Sequence, residues 1–423
     1  MQKVSEIKID IPKYPKIIID TLEENGYEAY IVGGCVRDAI LGKSPSDYDI
    51  TTNADPQAVK KLFKRTIDTG IKHGTVTVLF YEDNKPYTYE VTTFRIDGEY
   101  DDARHPKNVV FVDDLREDLL RRDFTINAMA YNDKKGLVDE FGGLVDLDKK
   151  VVRAVGNPIE RFTEDALRLL RAIRFAAKLG FSIDEETENS IPKLAMNLAM
   201  VSKERIQIEL TKTITSANPE YVNKIFELGL AKYISNGLEN IKVGKIEKNL
   251  PTYLAYACFL YNTDTFSASK FLKDLRLDNN NISKILYLIE AKKCYYQIDE
   301  CTKRKNYNQV NIYIKELVNF LGFELSYDFA KLLDINDENK ELHDKIRKAL
   351  DELKESNCPI FINDLKVDGN DMINIGFRGQ EIGLALSYLL KIVHKNRAYN
   401  DKKLLQEIAK KAYNTYKGVA YEL

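Results

Sequence analysis

The first third of the chain alternates apolar and polar positions with the period of two that is typical of β-strands. Residues 27–32 alternate into an apolar strand that ends at Gly33-Gly34. Residues 75–80 and 87–95 alternate β-branched and polar side chains on either side of Asp83-Asn84-Lys85. This pattern predicts a buried strand and, further along the chain, a β-hairpin.

Helices and a loop are expected between and after these strands. An amphipathic helix is expected over residues 36–41, and a second helix opens with Pro56 at its first position. A short strand is expected over residues 47–51. Residues 95–108 are polar, contain one Gly and one Pro, and predict a mobile loop. The N-terminal part of the chain is therefore expected to be α/β.

From residue 161 onward the spacing of apolar residues becomes helical. Residues 167, 170, 173 and 177 are apolar and fall on one face of a helix that Gly180 ends. Ser202 is placed to cap a helix over residues 203–214, and further helical segments follow to the end of the sequence. The fold class expected is α+β, with an α/β region followed by an all-α region.

Charge excludes one class of function. The chain has 423 residues, of which 30% are charged, and its formal net charge is −2. This balance argues against a protein that binds nucleic acid by bulk positive charge. The charge is unevenly placed, because residues 1–160 sum to −6 and residues 161–423 to +4, with eight basic and three acidic side chains in residues 391–423.

Composition also bears on compartment and metal type. No apolar run approaches the ~18–20 residues of a membrane span, and the N-terminus lacks the apolar centre of a signal peptide. The five cysteines are scattered and there are only four histidines. We expect a reduced, cytoplasmic protein without a membrane partner, in which any metal is held by carboxylates; such ligands favour Mg²⁺ or Mn²⁺ over zinc.

The strongest chemical signal follows the first predicted strand, in IVGGCVRDAILGKSPSDYDITT. Gly33 and Gly34 allow the backbone to turn sharply and to approach a phosphate closely, and Arg37 adds a forked donor on the helix that follows. Asp47 and Asp49, one residue apart on a strand, point to the same face. Together they can hold two Mg²⁺ ions against a triphosphate. Either element alone is more often an ordinary turn or a solvated strand end.

In this order and spacing the residues resemble the first motif of the nucleotidyltransferases of the DNA polymerase β superfamily, specifically the class II (bacterial-type) tRNA nucleotidyltransferases and poly(A) polymerases. That motif is Gly-Gly-x-Val-Arg-Asp, then Leu-Gly, then Asp-x-Asp. The resemblance implies a polymerase β-like nucleotidyltransferase head over residues 1–148, followed by a helical neck (149–215), body (216–330) and tail (331–423). It implies Asp47 and Asp49 as catalytic metal ligands, and tRNA, CTP and ATP as substrates.

Two further features extend the candidate site in the head. Glu90, on the second strand of the predicted hairpin, is placed to help deprotonate the attacking hydroxyl, although it is equally an exposed strand residue. The string RRDFTINA at residues 121–128 matches the second motif of the same family. Asp123 and Asn127 can hydrogen-bond the 2′-hydroxyl of the incoming nucleotide, and Arg122 offers charge to its triphosphate.

A third element selects the base, if the resemblance holds. Its members are two acidic residues followed by arginines at every third position: Glu164, Asp165, Arg168, Arg171 and Arg174. Taken alone, residues 165–174 at this spacing most simply form a solvated salt-bridge stripe of one helix. In the family the matching Asp and Arg act as an amino-acid template in place of a nucleic acid.

The chemistry of such a template is direct. Cytosine and adenine each place an exocyclic amino group beside an unprotonated ring nitrogen, so an Asp acceptor and an Arg donor, here Asp165 and Arg168, satisfy both bases. Uracil and guanine present the opposite pattern and would leave both side chains unpaired, at a cost of ~1–3 kcal/mol per buried group.

The precise activity is argued from smaller features. Residues 97–106 are complete where enzymes that add only CC are shortened, so full CCA addition is expected, with A-only addition and polyadenylation as the alternatives. His105 and Gln380 depart from the family pattern. The motif at residues 202–206 implies that Glu204 and Arg205 brace the neck. No obligate protein partner is evident.

Two hypotheses come from other classes. A small-molecule nucleotidyltransferase would share the glycines and Asp-x-Asp but would need neither the template pair nor a long helical extension. A non-catalytic RNA-binding protein is disfavoured because Asp47, Asp49 and Arg122 are all present.

Overall fold

The computed structural model describes residues 7–98 and 109–420. The chain divides into two compact units, one of Met1–Asn240 with Asp274–Arg276 and one of Ile241–Lys273 with Leu277–Leu423. The first unit carries a mixed β-sheet and helices, and the second is helical, which confirms the predicted α+β class. The four-part division into head, neck, body and tail stays a prediction.

The described strands all lie in the first unit. They are β1 (Ala29–Val32), β2 (Asp49–Thr52), β3 (Thr66–Gly70), β4 (Thr75–Glu82), β5 (Lys85–Thr93), β6 (Arg95–Asp97), β7 (Val109–Phe111), β8 (Ala130–Asn132), β9 (Gly136–Val138), β10 (Val151–Val152) and β11 (Ser182–Ile183). The main sheet has the order β3-β4-β5-β2-β1-β8-β9. β2 runs antiparallel to β1 and parallel to β5.

Helices precede, connect and follow these strands in the first unit. They are α1 (Lys13–Glu24), α2 (Gly34–Ile40), α3 (Pro56–Leu62), α4 (Leu115–Leu120), α5 (Gly143–Lys149), α6 (Pro158–Glu164), α7 (Leu167–Leu179), α8 (Glu185–Leu194), α9 (Lys203–Ile214), α10 (Asn223–Glu227) and α11 (Ala231–Ile234).

The second unit is built from α12 (Thr252–Phe259), α13 (Thr265–Asp274), α14 (Asn279–Glu290), α15 (Lys292–Lys303), α16 (Tyr307–Asn336), α17 (Lys340–Glu355), α18 (Gly369–Ile375), α19 (Gln380–Lys395) and α20 (Lys402–Ala420). α16 is interrupted at Gly322, whose φ is 74°. Within the described ranges, no helix combines the length and apolarity needed to cross a membrane.

Local sequence explains several of these elements. The hairpin β4–β5 turns at Asp83 and Asn84, both with positive φ (51° and 61°), which is the conformation that short aspartate and asparagine side chains tolerate. Asp55 caps α3 by accepting hydrogen bonds from the backbone N–H groups of Gln57 and Ala58, both at 2.8 Å. Gly180 ends α7 in the left-handed region with φ 71°. The predicted hairpin, the helix that opens at Pro56 and the helix end at Gly180 are therefore confirmed.

Other local expectations are wrong. β2 begins at Asp49, so Asp47 lies before the strand. Residues 95–97 form β6 where a loop was expected, because they pair with β7. Most of the predicted loop, residues 99–108 with His105, lies outside the described residues. Ser202 occupies the N-cap of α9, but its side chain makes no capping hydrogen bond.

Candidate active site

A cleft of about 730 Å³ opens in the first unit where β1 and β2 meet α7 and α9. It is lined by all but two of the site residues predicted from the sequence: Gly33, Gly34, Arg37, Asp47, Asp49, Arg122, Asp123, Asn127, Asp165, Arg168, Arg171 and Arg174. Glu90 and Glu164 are outside this lining. Segments more than a hundred residues apart in sequence therefore share one cavity.

Gly33 forms the turn between β1 and α2. Its φ is 80°, a backbone conformation that residues other than glycine rarely adopt. A Cβ placed there would lie 3.2 Å from Nη1 of Arg122. Glycine at this position therefore serves both the turn and the close approach of an arginine to the backbone.

The register of the sheet brings the candidate catalytic carboxylates together. Asp49 pairs with Val32 at the end of β1, next to Gly33. Because Ile50 pairs with Val91 on the parallel strand β5, Asp49 also lies beside the exposed Glu90. Asp47 precedes β2 by two residues, and Ser46 donates its hydroxyl to it.

The negative charges of these carboxylates are only partly compensated by nearby positive charge. Desolvation raises the pKa of Asp49 above its ordinary value, Arg122 lowers it, and the charges of Glu90 and Asp47 raise it further. Neither Asp47 nor Asp49 forms an ion pair within the described residues. Such crowded oxygen ligands fit a hard divalent cation, which would relieve their repulsion.

The same region does not form a metal cage by itself. Over the parts of the chain with described positions, no group of three or more His, Cys, Asp or Glu side chains could hold a metal ion. A pair of aspartates fits Mg²⁺, because that ion commonly keeps water and substrate phosphates as its remaining ligands.

Asp123 lies at the centre of a buried network. Its Oδ2 accepts hydrogen bonds from Nε and Nη2 of Arg171 at 2.8 and 2.6 Å. Its Oδ1 accepts from the amide of Asn127 at 3.1 Å and from the backbone N–H of Phe124 at 2.8 Å. Burial alone would raise the pKa of Asp123, but Arg171 and Asn127 together lower it to about 2. All four acceptor positions of this carboxylate are thus occupied by protein donors.

Arg37 is almost completely buried, with 2% of its surface exposed. Its Nε donates to Oδ1 of Asp38 at 2.8 Å, and its Nη1 donates to Oδ1 of Asn127. Asn127 therefore connects Arg37 to Asp123. Two of the predicted motifs meet through this one amide.

The predicted template pair also has internal partners. Arg168 donates to Oε2 of Glu164 at 2.7 Å and to the backbone carbonyls of Arg121 and Arg161 at 2.7 and 3.0 Å. Glu164 therefore contacts Arg168 rather than the cleft.

Asp165 differs from the expectation of one continuous helical stripe. Its φ of −138° and ψ of 103° are not helical, so the helix is interrupted at Asp165, between α6 and α7. Oδ1 of Asp165 accepts from the backbone N–H of Leu167 at 3.0 Å, and Oδ2 accepts from Arg205 at 2.8 Å. Arg205, expected to brace the neck, thus contacts the predicted template residue itself.

Several lining or supporting residues were missed from sequence. Asp118 is fully buried and pairs with Arg121 and Arg122 at 2.7 and 3.1 Å. Glu209, 4% exposed, pairs with Arg174 at 2.6 Å and lies 3.7 Å from Arg171. A signal for Glu209 was present, because it falls on the buried face of α9 with its apolar neighbours. A charge on such a face indicates a buried partner.

The cleft as a whole is electropositive. Its lining includes eight basic side chains, Arg37, Arg121, Arg122, Arg168, Arg171, Arg174, Lys178 and Lys212, and five acidic ones, Asp38, Asp47, Asp49, Asp123 and Asp165. Two of these acids, Asp47 just before β2 and Asp49 at its first position, lack an ion-pair partner among the described residues. The arrangement suits a polyanion that carries metal at one end.

Comparison with protein families matches two segments of the chain. Residues 29–153 match the "Poly A polymerase head domain", and residues 180–241 match the "Probable RNA and SrmB- binding site of polymerase A". The CCA-adding enzyme of Ligilactobacillus salivarius is 35% identical over 415 residues, covering 93% of this chain and 95% of that protein. The CCA-adding enzyme of Lactiplantibacillus plantarum is 40% identical over 302 residues, covering 69% and 73%.

Solved structures agree with these relatives. The CCA-adding enzyme of Bacillus stearothermophilus in complex with CTP has a TM-score of 0.74 at 28% identity, and the match covers 96% of this chain and 100% of that chain. The Thermotoga maritima CCA-adding enzyme complexed with tRNA shares the fold, with a TM-score of 0.64 at 22% identity over 96% of this chain and 98% of that one.

Proposed function

Because this chain belongs to the CCA-adding enzymes of the class II tRNA nucleotidyltransferase family, we propose that it adds C, C and A to the 3′ end of tRNA. It takes CTP and ATP and releases diphosphate. The observation that carries the proposal is the single cleft in which unpaired aspartates, an arginine cluster and the Asp165–Arg168 pair lie together. A small-molecule nucleotidyltransferase has no need of the last pair.

The reaction joins the 3′-hydroxyl of tRNA to the α-phosphate of the nucleotide and breaks the bond to diphosphate. In this proposal Asp47 and Asp49 would hold two Mg²⁺ ions, or Mn²⁺, and these ions would offset the charge of the phosphates and favour ionisation of the 3′-hydroxyl. Glu90 lies beside Asp49 in the sheet register. Its assigned role is to accept the proton of that hydroxyl.

Other residues of the cleft are assigned to bind the phosphates and the ribose of the nucleotide. Arg37, Arg122, Arg171 and Arg174 supply fixed positive charge to the triphosphate. Asn127 keeps one amide hydrogen beyond its bond to Asp123 and offers it to the 2′-hydroxyl. Because the four acceptor positions of Asp123 are filled, its role is to hold Asn127 and Arg171 in place.

Base choice is assigned to Asp165 and Arg168. Both are held before a nucleotide arrives, Asp165 by Arg205 and Arg168 by Glu164. A preorganised acceptor and donor discriminate better than mobile ones, because no ordering cost is paid on binding. C and A match this pair, whereas U and G leave it unsatisfied.

One assay tests the activity. The protein is incubated with tRNA ending at the discriminator base, at CC or at CCA, together with CTP, ATP or both, and the 3′ ends are sequenced. Completion of all three positions from the shortest tRNA is expected. Extension only of the CC-ended tRNA would instead identify an A-adding enzyme, and long A tails would identify a poly(A) polymerase.

The carboxylate assignment is tested in the same assay. Asp47→Ala and Asp49→Ala are expected to abolish incorporation while tRNA binding survives. Asp148→Ala is the matched control, because Asp148 is an exposed carboxylate of the same unit outside the cleft. Retained turnover in either alanine variant would refute the assignment.

A further inference from the structure

One aromatic ring lies among the basic side chains of the cleft. Phe175, on α7, lines the cavity although only 5% of its surface is exposed. Its ring meets that of Phe124 edge to face, with centroids 5.6 Å apart and an interplanar angle of 74°. The ring is therefore fixed from behind by the apolar core.

Three guanidinium groups surround this ring. The central carbon of Arg174 lies 4.1 Å from the ring centroid, and those of Arg37 and Arg171 each lie 5.3 Å from it. All three distances are within the range of a cation–π interaction. Every other ring that has a basic group over it among the described residues has only one, so three on one ring are unusual.

Each guanidinium is also held at its edge by a different carboxylate. Arg37 pairs with Asp38, Arg171 with Asp123 and Arg174 with Glu209. The acids contact the guanidinium nitrogens, and the ring centroid lies within 5.3 Å of the central carbon of all three groups. The ring's negative faces add to the attraction of these carboxylates and offset part of the repulsion between the three like charges.

At Arg174 the electrostatics agree with crowding of positive charge. Burial lowers the pKa of Arg174, Glu209 raises it, and the nearby charges of Arg171 and Arg37 lower it again. An added polyanion relieves this crowding, so the cluster is poised to bind one.

We propose that Phe175 is a positioning residue that holds Arg37, Arg171 and Arg174 ready for the polyphosphate of the incoming nucleotide. The inference rests on the proposed function, because it takes a nucleoside triphosphate as the ligand. Phe175 acts through the arginines and touches no reacting atom.

The test replaces the ring's electrostatics while keeping its shape. Pentafluorophenylalanine at position 175 keeps the shape but inverts the quadrupole, and Phe175→Leu removes the ring. Phe181→Leu is the matched control, since Phe181 follows the same helix, is 4% exposed and has no arginine over its ring among the described cation–π contacts. Inhibition of CTP incorporation is measured with magnesium tripolyphosphate and, separately, with cytidine.

Both changes at position 175 are expected to raise the inhibition constant of tripolyphosphate and the KM for CTP and ATP by about five- to tenfold, because cation–π contacts are lost. The inhibition constant of cytidine and the preference for CTP and ATP over UTP should stay within twofold of wild type. A purely structural role for the ring predicts instead that the fluorinated ring, which keeps the shape, leaves both inhibition constants unchanged. It also predicts that Phe175→Leu and Phe181→Leu raise the inhibition constants of tripolyphosphate and cytidine alike.

The inference is overturned if the fluorinated ring leaves tripolyphosphate inhibition unchanged, or if Phe181→Leu weakens it equally. Failure of the proposed function is separate, because it would appear as absence of CCA addition by the unmodified protein.

Discussion

Replacement of Asp123 by asparagine gives the most quantitative test of the network that forms the cleft. Asp123 is 8% exposed, and its pKa is lowered to about 2 from the ordinary 3.8. A shift of one pKa unit corresponds to about 1.36 kcal/mol, so ionised Asp123 contributes about 2 kcal/mol to the free energy of unfolding at pH 7. Asp123→Asn, which resembles the neutral acid in shape, should lose about that amount.

The pH dependence has a definite sign. Because the folded-state pKa of Asp123 lies below its unfolded-state value, its contribution is fully present above about pH 4 and is lost as the pH falls toward about 2. The stability difference between wild type and Asp123→Asn should therefore be constant from pH 7 to pH 5. It should shrink by about half near pH 3.

The assay must follow the first unit alone, because the chain divides into two compact units. Samples are equilibrated in urea at each pH, pulsed with deuterium at one fixed pH, and read by mass spectrometry on peptides covering residues 121–131. Asp148→Asn makes the same charge change at an exposed position and should alter stability by less than about 0.5 kcal/mol.

Two results would refute the reasoning. One is a loss of less than about 0.5 kcal/mol in Asp123→Asn at pH 7, which would mean that Arg171 does not stabilise the ionised acid. The other is a difference that stays the same at pH 3 as at pH 7.

Three further outcomes are expected. Gly33→Ala and Gly26→Ala both place a side chain at positive φ (80° and 86°) and should each cost about 1 kcal/mol of stability by urea unfolding. Only the Cβ of Gly33→Ala approaches Arg122, so only this variant should lower kcat/KM for CTP more than tenfold. Equal activities of the two variants would contradict this. Glu209→Gln should raise the KM for CTP about tenfold in steady-state assays, because Arg174 loses its buried partner, whereas an unchanged KM would show that Arg174 does not depend on it. The affinity for tRNA should fall steeply with salt in filter-binding measurements and depend little on tRNA sequence; a salt-independent affinity would exclude phosphate contacts.

The sequence by itself determined the parts of the site that are close along the chain. Gly33, Gly34, Asp47 and Asp49 lie within one β1–α2–β2 segment, so their spacing and the turn preference of glycine suffice to bring them together. The same holds for the β4–β5 hairpin, whose turn residues alone favour the required positive φ.

Only the tertiary structure decided how distant segments complete the cleft. Glu209 reaches Arg174, and Arg205 reaches Asp165, because α9 packs against α7. Helical periodicity also predicted that Asp165 belongs to a continuous stripe of one helix, whereas the helix is interrupted there, between α6 and α7. Periodicity reports which residues share a face of one element, but which buried charges meet across two elements depends on packing, which no local pattern encodes.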